Sequence, residues 1–185
     1  MFRGGWFMKR LVLFIPLLIV IGVGVFLAAG IGKDPTELDS ALIGKPVPEF
    51  SLEDLDTPEL LHDASVFEGQ VSLLNVWGEW CPACWDEHGY LMELAEEQGV
   101  RIVGLNYKDQ REKAFSFLER LGNPYDVILF DPRGSLGFDM GVYGAPETFV
   151  IDANGTVLHR HVGVVNERVW TEELGPIYNQ ARGNE

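Results

Sequence analysis

The hydrophobic pattern divides the chain into two unequal parts. From Leu11 to Gly32 there is a 22-residue run without a charge, apolar all round a helical projection. At 1.5 Å per residue about 20 residues span a hydrocarbon core, so this run predicts one transmembrane helix. Pro16 is tolerated in such a helix. Beyond it, Lys33 to Lys45 is polar with Pro35 and Gly44, and reads as a linker.

From Pro46 onward the apolar runs become short. Pro46-Val-Pro48 followed by Phe50-Ser-Leu52 predicts an edge strand, where proline is tolerated, with Leu60-Leu61 as its partner. Val71 to Trp77 (VSLLNVW) has the length and apolarity of a central buried strand. Helical periodicity follows from Pro82 to Gln98, then a strand from Arg101 to Tyr107. A second helix runs from Gln110 to Leu121, stopped by Gly122 and Pro124, and a third strand from Tyr125 to Phe130. Thr148–Ile151 and Thr156–His161 flank Asp152-Ala-Asn154-Gly155, a hairpin signal. Glu167 to Gln180 closes the chain as a helix capped by Asn166. The order joins a βαβ unit to a ββα unit, which predicts an α/β fold: a mixed sheet with helices on both faces. The expected organisation is a cytoplasmic tail and anchor over 1–32, a linker over 33–45, and one domain over 46–185.

Charge orients this arrangement. The chain carries 14 bases and 28 acids, a net −14. Residues 1–33 hold four of the bases (Arg3, Lys9, Arg10 and Lys33) and no acid, which leaves ten bases, 28 acids and −18 for the body. Arg3, Lys9 and Arg10 precede the apolar run, and Asp34, Glu37 and Asp39 follow it. The positive-inside rule then places the N-terminus in the cytoplasm. In a bacterium the chain would cross the inner membrane once, with its C-terminal domain in the periplasm. Ala28-Ala29-Gly30 offers the alternative of signal-peptide cleavage, for which the run is long. The acidic balance excludes nucleic-acid binding. It serves solubility or draws a basic partner, an attraction that salt would weaken.

Both cysteines lie in Trp80-Cys81-Pro82-Ala83-Cys84, after the strongest strand and at a helix start. Two cysteines are too few for a four-cysteine zinc site or a multi-disulfide scaffold. As a staple, so short a loop removes only about 2 kcal/mol of unfolded-state entropy. As a metal site the pair needs two further ligands. His159 and His161 alternate on a strand, where they fit a solvated face better, and no bound metal is expected. As a redox dithiol the pair has what is required: an exposed nucleophile and a second thiol close enough to resolve a mixed disulfide. Cys81 falls at the N-cap, where free N–H groups and the dipole stabilise a thiolate. Pro82 suits the first helical position. Cys84 shares the core-facing side with Glu87, His88, Leu91, Ala95 and Gln98, which makes it the buried, resolving sulfur. Glu87 on that face is either a solvated acid or a buried carboxyl that exchanges a proton with Cys84. No cofactor beyond the Cys81–Cys84 disulfide is implied.

The direction of electron flow follows from local charge. From Glu79 to Gln98 there is no Lys or Arg, but there are Glu79, Asp86, Glu87, Glu93, Glu96 and Glu97, with His88 the one candidate cation. This field opposes the thiolate. The potential should therefore lie nearer thioredoxin's roughly −270 mV than a strong oxidant's roughly −120 mV, which favours a reductase.

A strand leading into Trp-Cys-x-x-Cys, with a later proline before a strand, resembles the thioredoxin superfamily. Four segments narrow the resemblance to the periplasmic thiol-disulfide proteins of cytochrome c maturation (CcmG/DsbE type). These are Asn75-Val-Trp-Gly-Glu-Trp-Cys-Pro-Ala-Cys84 with Glu87-His88, Val103 to Asp109, Gly141-Val-Tyr-Gly-Ala-Pro-Glu-Thr-Phe149, and Arg168-Val-Trp170. The resemblance covers about residues 42–180 and includes the anchor. It implies a thioredoxin-like sheet with an insert at about 107–131, and a cis Pro146 beside the redox pair. Pro146 would present the backbone of Ala145 to a client strand. Trp80, Pro82, Tyr143 and Glu147 would line the same groove, although Tyr143 and Glu147 also fit ordinary packing. The implied activity is reduction of cysteine pairs of apocytochrome c, or of its maturation thiol partner, so that haem is attached. A membrane thiol transporter would supply the electrons. Ala83 and Trp85 depart from the family pattern. Asn75 replaces the buried Asp of general thioredoxins, which leaves proton handling to Glu87 or Glu147. Two alternatives stand beside this reading: another client, such as a copper-site cysteine pair, and a CxxC metal carrier.

Overall fold

The computed structural model describes residues 15–25 and 42–183. Residues 15–25 form helix α1, and the rest of the expected membrane run lies outside the described residues. Among the described residues no helix is long and apolar enough to cross a membrane. The described residues 15–25 and 42–183 fall in two separate units, and the second carries the chemistry.

That unit is built on seven strands: β1 (Leu52–Asp54), β2 (Leu61–His62), β3 (Ser72–Trp77), β4 (Ile102–Tyr107), β5 (Val127–Asp131), β6 (Glu147–Ile151) and β7 (Val157–Val162). They lie in the order β2-β1-β5-β4-β3-β6-β7. β3, β4 and β5 are parallel neighbours, and the remaining pairings are antiparallel. β3 and β4 are buried along their whole length, as central parallel strands with covered faces must be.

Side-chain alternation sorts the core into two layers. Leu73 and Trp77 of β3, with Ile102, Ile128 and Val150, face α2 (Pro82–Glu96), α3 (Arg111–Leu121) and the C-terminal helices. Leu74 and Val76, with Val103, Leu105, Leu129 and Phe149, face Phe67 and the short α4 (Ser135–Asp139). Helices therefore lie on both faces, as expected for a thioredoxin-like mixed sheet.

The residues 107–131 hold α3 and β5, which carry the sheet outward from β4 to β1. Arg111 at the start of α3 ties this segment to β1, donating to the Asp54 carbonyl at 2.8 Å and to Glu53 at 2.6 Å. Gly104 in β4 is required by packing. A Cβ there would come within 2.9 Å of both the Trp77 indole and the Tyr125 ring, which stack at 5.3 Å.

Three expectations are corrected. The segment Pro46 to Leu52 is not an edge strand. Pro46 makes an isolated bridge to Thr156, and the Val47 N–H bonds the Gly155 carbonyl, so the prolines run beside the hairpin turn. Pairing begins only at Leu52, and β2 takes the edge. The closing helix is also interrupted: α5 (Glu167–Val169) passes through a π-helical turn (Trp170–Leu174) into α6 (Gly175–Arg182). A Cβ on Gly175 would sit 2.6 Å from the Trp170 carbonyl oxygen, which ties glycine to the widened turn. Finally, the core face of α2 is Cys84, Glu87, His88, Leu91 and Leu94. Ala95 is half-buried, and Gln98 lies exposed past the helix end.

Candidate active site

β3 delivers the chain to a tight turn, and Cys81 caps α2. Its sulfur accepts the Cys84 N–H at 3.1 Å, and Pro82 occupies the first turn, where no N–H is missed. Cys81 and Cys84 are joined as a disulfide, with Cα atoms 5.3 Å apart. The expectation of one exposed and one buried sulfur is corrected: each cysteine is 2% exposed. In the oxidised form both belong to the apolar layer beneath α2. What separates them is the helix terminus. Only Cys81 receives an N–H from the first turn, the interaction that stabilises a thiolate there.

The residues before Cys81 rest on the end of β4. The Glu79 N–H donates to Asp109 Oδ2 at 2.7 Å, the Asn106 amide donates to the same oxygen at 3.1 Å, and the Gln110 N–H donates to Oδ1 at 2.7 Å. Trp80 remains 46% exposed, yet its indole N–H donates to the Tyr107 carbonyl at 3.0 Å. A Cβ on Gly78 would lie 2.4 Å from that indole nitrogen, so glycine makes room for the ring. The Asn106-Tyr-Lys-Asp109 motif is thus a shelf for the loop that enters the redox helix.

One turn below Cys84, Glu87 is buried, and among the described residues no cation is a hydrogen-bond partner. The Asn75 amide donates to its Oε1 at 2.9 Å and the Val165 N–H to its Oε2 at 2.8 Å. Burial pushes its pKa from 4.5 to about 7, and these two hydrogen bonds only partly oppose the rise. The solvated-acid alternative is therefore set aside. Asn75 is the hub: it also donates to Thr148 Oγ1 and accepts from the Tyr125 hydroxyl, both at 3.0 Å. An amide serves there because it donates and accepts at once.

His88 is poorly placed to hold positive charge. Burial lowers its pKa, against the opposing pull of the Gly122 carbonyl that accepts its Nε2–H at 3.0 Å. A cation does reach this helix from α3, where the Arg120 guanidinium lies 5.0 Å from the Trp85 ring centre.

Just before β6, whose Glu147 pairs with Val76 near the end of β3, the Ala145–Pro146 peptide is cis, as the resemblance implies. Tyr143 is 62% exposed, Pro82 is exposed and Ala145 half-buried. Glu147 departs from the groove-lining expectation, since its side chain is 1% exposed. It accepts the N–H groups of Tyr143 and Gly144 at 3.2 and 3.3 Å and the Arg160 Nε–H at 2.9 Å, and Arg160 Nη2 lies 2.7 Å from the same oxygen in an ion pair. Burial raises its pKa, while Arg160 and the two N–H groups pull it back.

Nothing in the sequence singles out Arg160 or Tyr125 as site residues, and Asp109 stands out only within the Val103–Asp109 segment that carries the resemblance. Alternation along β7 does put Arg160 on the face opposite His159 and His161, but it names no partner. Those histidines both meet Glu173, at 2.9 and 3.0 Å. Among the described residues no group of His, Cys, Asp and Glu is arranged to hold a metal.

Comparison with known proteins agrees with this geometry. Residues 42–174 match the Redoxin family. The thiol:disulfide interchange protein DsbE of Vibrio cholerae is 57% identical over 178 residues, covering 94% of this chain and 96% of the relative. The DsbE of Escherichia coli K12 is 54% identical with the same coverage. A crystal structure attributed to a DsbE of Chlorobium tepidum superposes with a TM-score of 0.63 at 28% identity, over 80% of this chain and 100% of that one. A secreted Mycobacterium tuberculosis disulfide oxidoreductase, at 19% identity and TM-score 0.59 over 69% of this chain and 95% of that one, shares the fold. A disulfide at a helix N-cap and relatives of this closeness make the chain a thiol:disulfide oxidoreductase, and it belongs to the Redoxin family, among the DsbE-type interchange proteins.

Proposed function

We propose that this oxidoreductase is a membrane-tethered periplasmic reductase. Its client would be the cysteine pair of apocytochrome c, or of its maturation thiol partner, and its electrons would come from a membrane thiol transporter. The basic head before an uncharged run supports the tether and the orientation. The resemblance in the Asn106–Asp109 and Gly141–Phe149 segments supports the client. The observation that carries the exchange chemistry is Glu87, a buried carboxyl with a pKa of about 7 one turn below Cys84, and the reductive direction rests on the acidic stretch from Glu79 to Gln98, which has no Lys or Arg.

The chemistry balances as follows. The Cys81 thiolate attacks one sulfur of the client disulfide, forms a mixed disulfide and expels the other sulfur as a thiolate, which takes a proton from water. Cys84 loses its proton to the Glu87 carboxylate and attacks Cys81 Sγ. This closes the disulfide and releases the second client thiolate. Two electrons pass to the client. The proton held by Glu87 leaves before the next cycle. A group with a pKa near the working pH suits both the gain and the loss.

Cys84→Ala removes the resolving thiol and should trap the client as a mixed disulfide that mass spectrometry identifies. Capture of an apocytochrome or its maturation partner is expected, and capture only of a copper-site protein would replace this client with the alternative. Glu87→Gln should slow disulfide closure by about tenfold or more at neutral pH, followed by stopped-flow tryptophan fluorescence. An unchanged rate would remove Glu87 from the proton path.

A further inference from the structure

Among the described residues, Arg160 is the cation placed against the cis-proline loop from within, and neither the motif nor the interchange chemistry assigns it a part. Its side chain is 6% exposed. Nε and Nη2 both reach Glu147 Oε2, at 2.9 and 2.7 Å. Nη2 also donates to the Gly141 carbonyl at 3.1 Å. The guanidinium carbon lies 5.1 Å from the Tyr143 ring centre. Glu147 completes the circuit by accepting the Tyr143 and Gly144 N–H groups. Three points of one loop, Gly141, Tyr143 and Glu147, therefore converge on a single planar cation, and a fourth, Gly144, is held through the Glu147 carboxylate.

We propose that Arg160 is a positioning residue of the client groove: by tying Gly141, Tyr143 and Glu147 together it holds the exposed Tyr143 ring and the Ala145 backbone ready for a client peptide strand. This rests on the reading that the loop before Pro146 receives the client. The two exposed aromatic walls are held by different means. Trp80 is fixed from β4 through the Tyr107 carbonyl, and Tyr143 from β7 through Arg160. A fixed ring loses less conformational freedom when a client binds, so its ordering is reflected in affinity and not in the sulfur chemistry. The same pairing ties the Glu147 carboxyl to the loop.

Lysine keeps the charge but has neither the fork nor the stacking plane. Arg160→Lys should therefore raise KM for an oxidised Cys-Xaa-Xaa-Cys-His peptide by about tenfold, with kcat changed by less than about twofold. The Cys81–Cys84 reduction potential should stay the same, because the sulfurs and their helix start are untouched. The double variant Glu147→Gln with Arg160→Met removes both buried charges, and should fold and show the same rise in KM. If the lysine variant unfolds, the double variant decides. A folded variant with unchanged KM overturns the proposal. A shifted potential with unchanged KM also overturns it, because Arg160 would then act on the disulfide electrostatically. Failure of the unmodified full chain to reduce the peptide would count against the client reading, whereas a normal unmodified chain with an unaffected variant counts against Arg160 alone.

Discussion

Glu87 and Glu147 are the same residue type and are buried to the same degree, one on the redox helix and one just after the cis-proline, yet the protein solvates them in opposite ways. Glu87 meets an amide and a backbone N–H. Glu147 meets two backbone N–H groups and a guanidinium. Dipoles alone offset only part of the cost of burying a charge, so Glu87 takes up a proton readily near neutral pH. A buried cation changes the balance, because protonating Glu147 would leave Arg160 unpaired. One carboxyl is thus free to exchange a proton, and the other holds a loop.

The largest expected effect comes from breaking the ion pair. Glu147→Ala leaves Arg160 buried without its partner and should cost about 3–5 kcal/mol in urea unfolding. A loss under about 1 kcal/mol would mean that Arg160 reaches solvent and that the two carboxyls differ less than their partners suggest.

Glu87 should show itself through pH. Its pKa is raised on folding, so the folded state holds the proton more tightly than the unfolded chain. Stability is favoured below about pH 4.5 and declines as pH rises to about 7. At about 1.36 kcal/mol per pH unit this decline is about 3 kcal/mol. Glu87→Gln should flatten that window. Glu147 titrates with the same sign in both proteins, so the difference between the two stability curves isolates Glu87. A difference curve without slope between pH 4.5 and about 7 would contradict the proton-exchanging role.

The smallest effect tests the hub. Tyr125→Phe deletes the hydroxyl that donates to Asn75 and should cost about 1 kcal/mol, with the loss growing if the Asn75 amide turns away from Glu87. Equal stability of the two proteins would show that Asn75 is held well enough by Thr148 and Glu87.

Much of this is legible in the sequence because it depends on local rules. The apolar run at Val71–Trp77 places the central strand, Pro82 after Cys81 places the helix start, and Asp152-Ala-Asn-Gly155 places the hairpin. Glu87 stands out because one carboxyl falls on a face otherwise turned to the core. What stays hidden depends on long-range pairing. The Arg160–Glu147 pair joins β7 to β6 across the hairpin, and Tyr125 reaches Asn75 across β4, fifty positions away. The burial of Cys81 escapes a reading in which reactivity requires exposure, because the disulfide-bonded sulfurs lie within the layer beneath α2. The lowered pKa of His88 escapes periodicity too, since a histidine's charge depends on how dry its surroundings are.

The segment 107–131 has a consequence for modular design. It widens the sheet by one strand, and it also supplies Asp109 to the Glu79 N–H, Phe117 to the Trp77, Trp85 and His88 rings, and Tyr125 to Asn75. The redox helix is therefore wired to the segment holding α3 and β5 as well as to the strand it follows. Transplanting the Trp80–Cys84 motif and the Gly141–Phe149 loop onto a smaller scaffold would move the reactive atoms without their support. The smallest transferable unit of this chemistry includes α3 and β5.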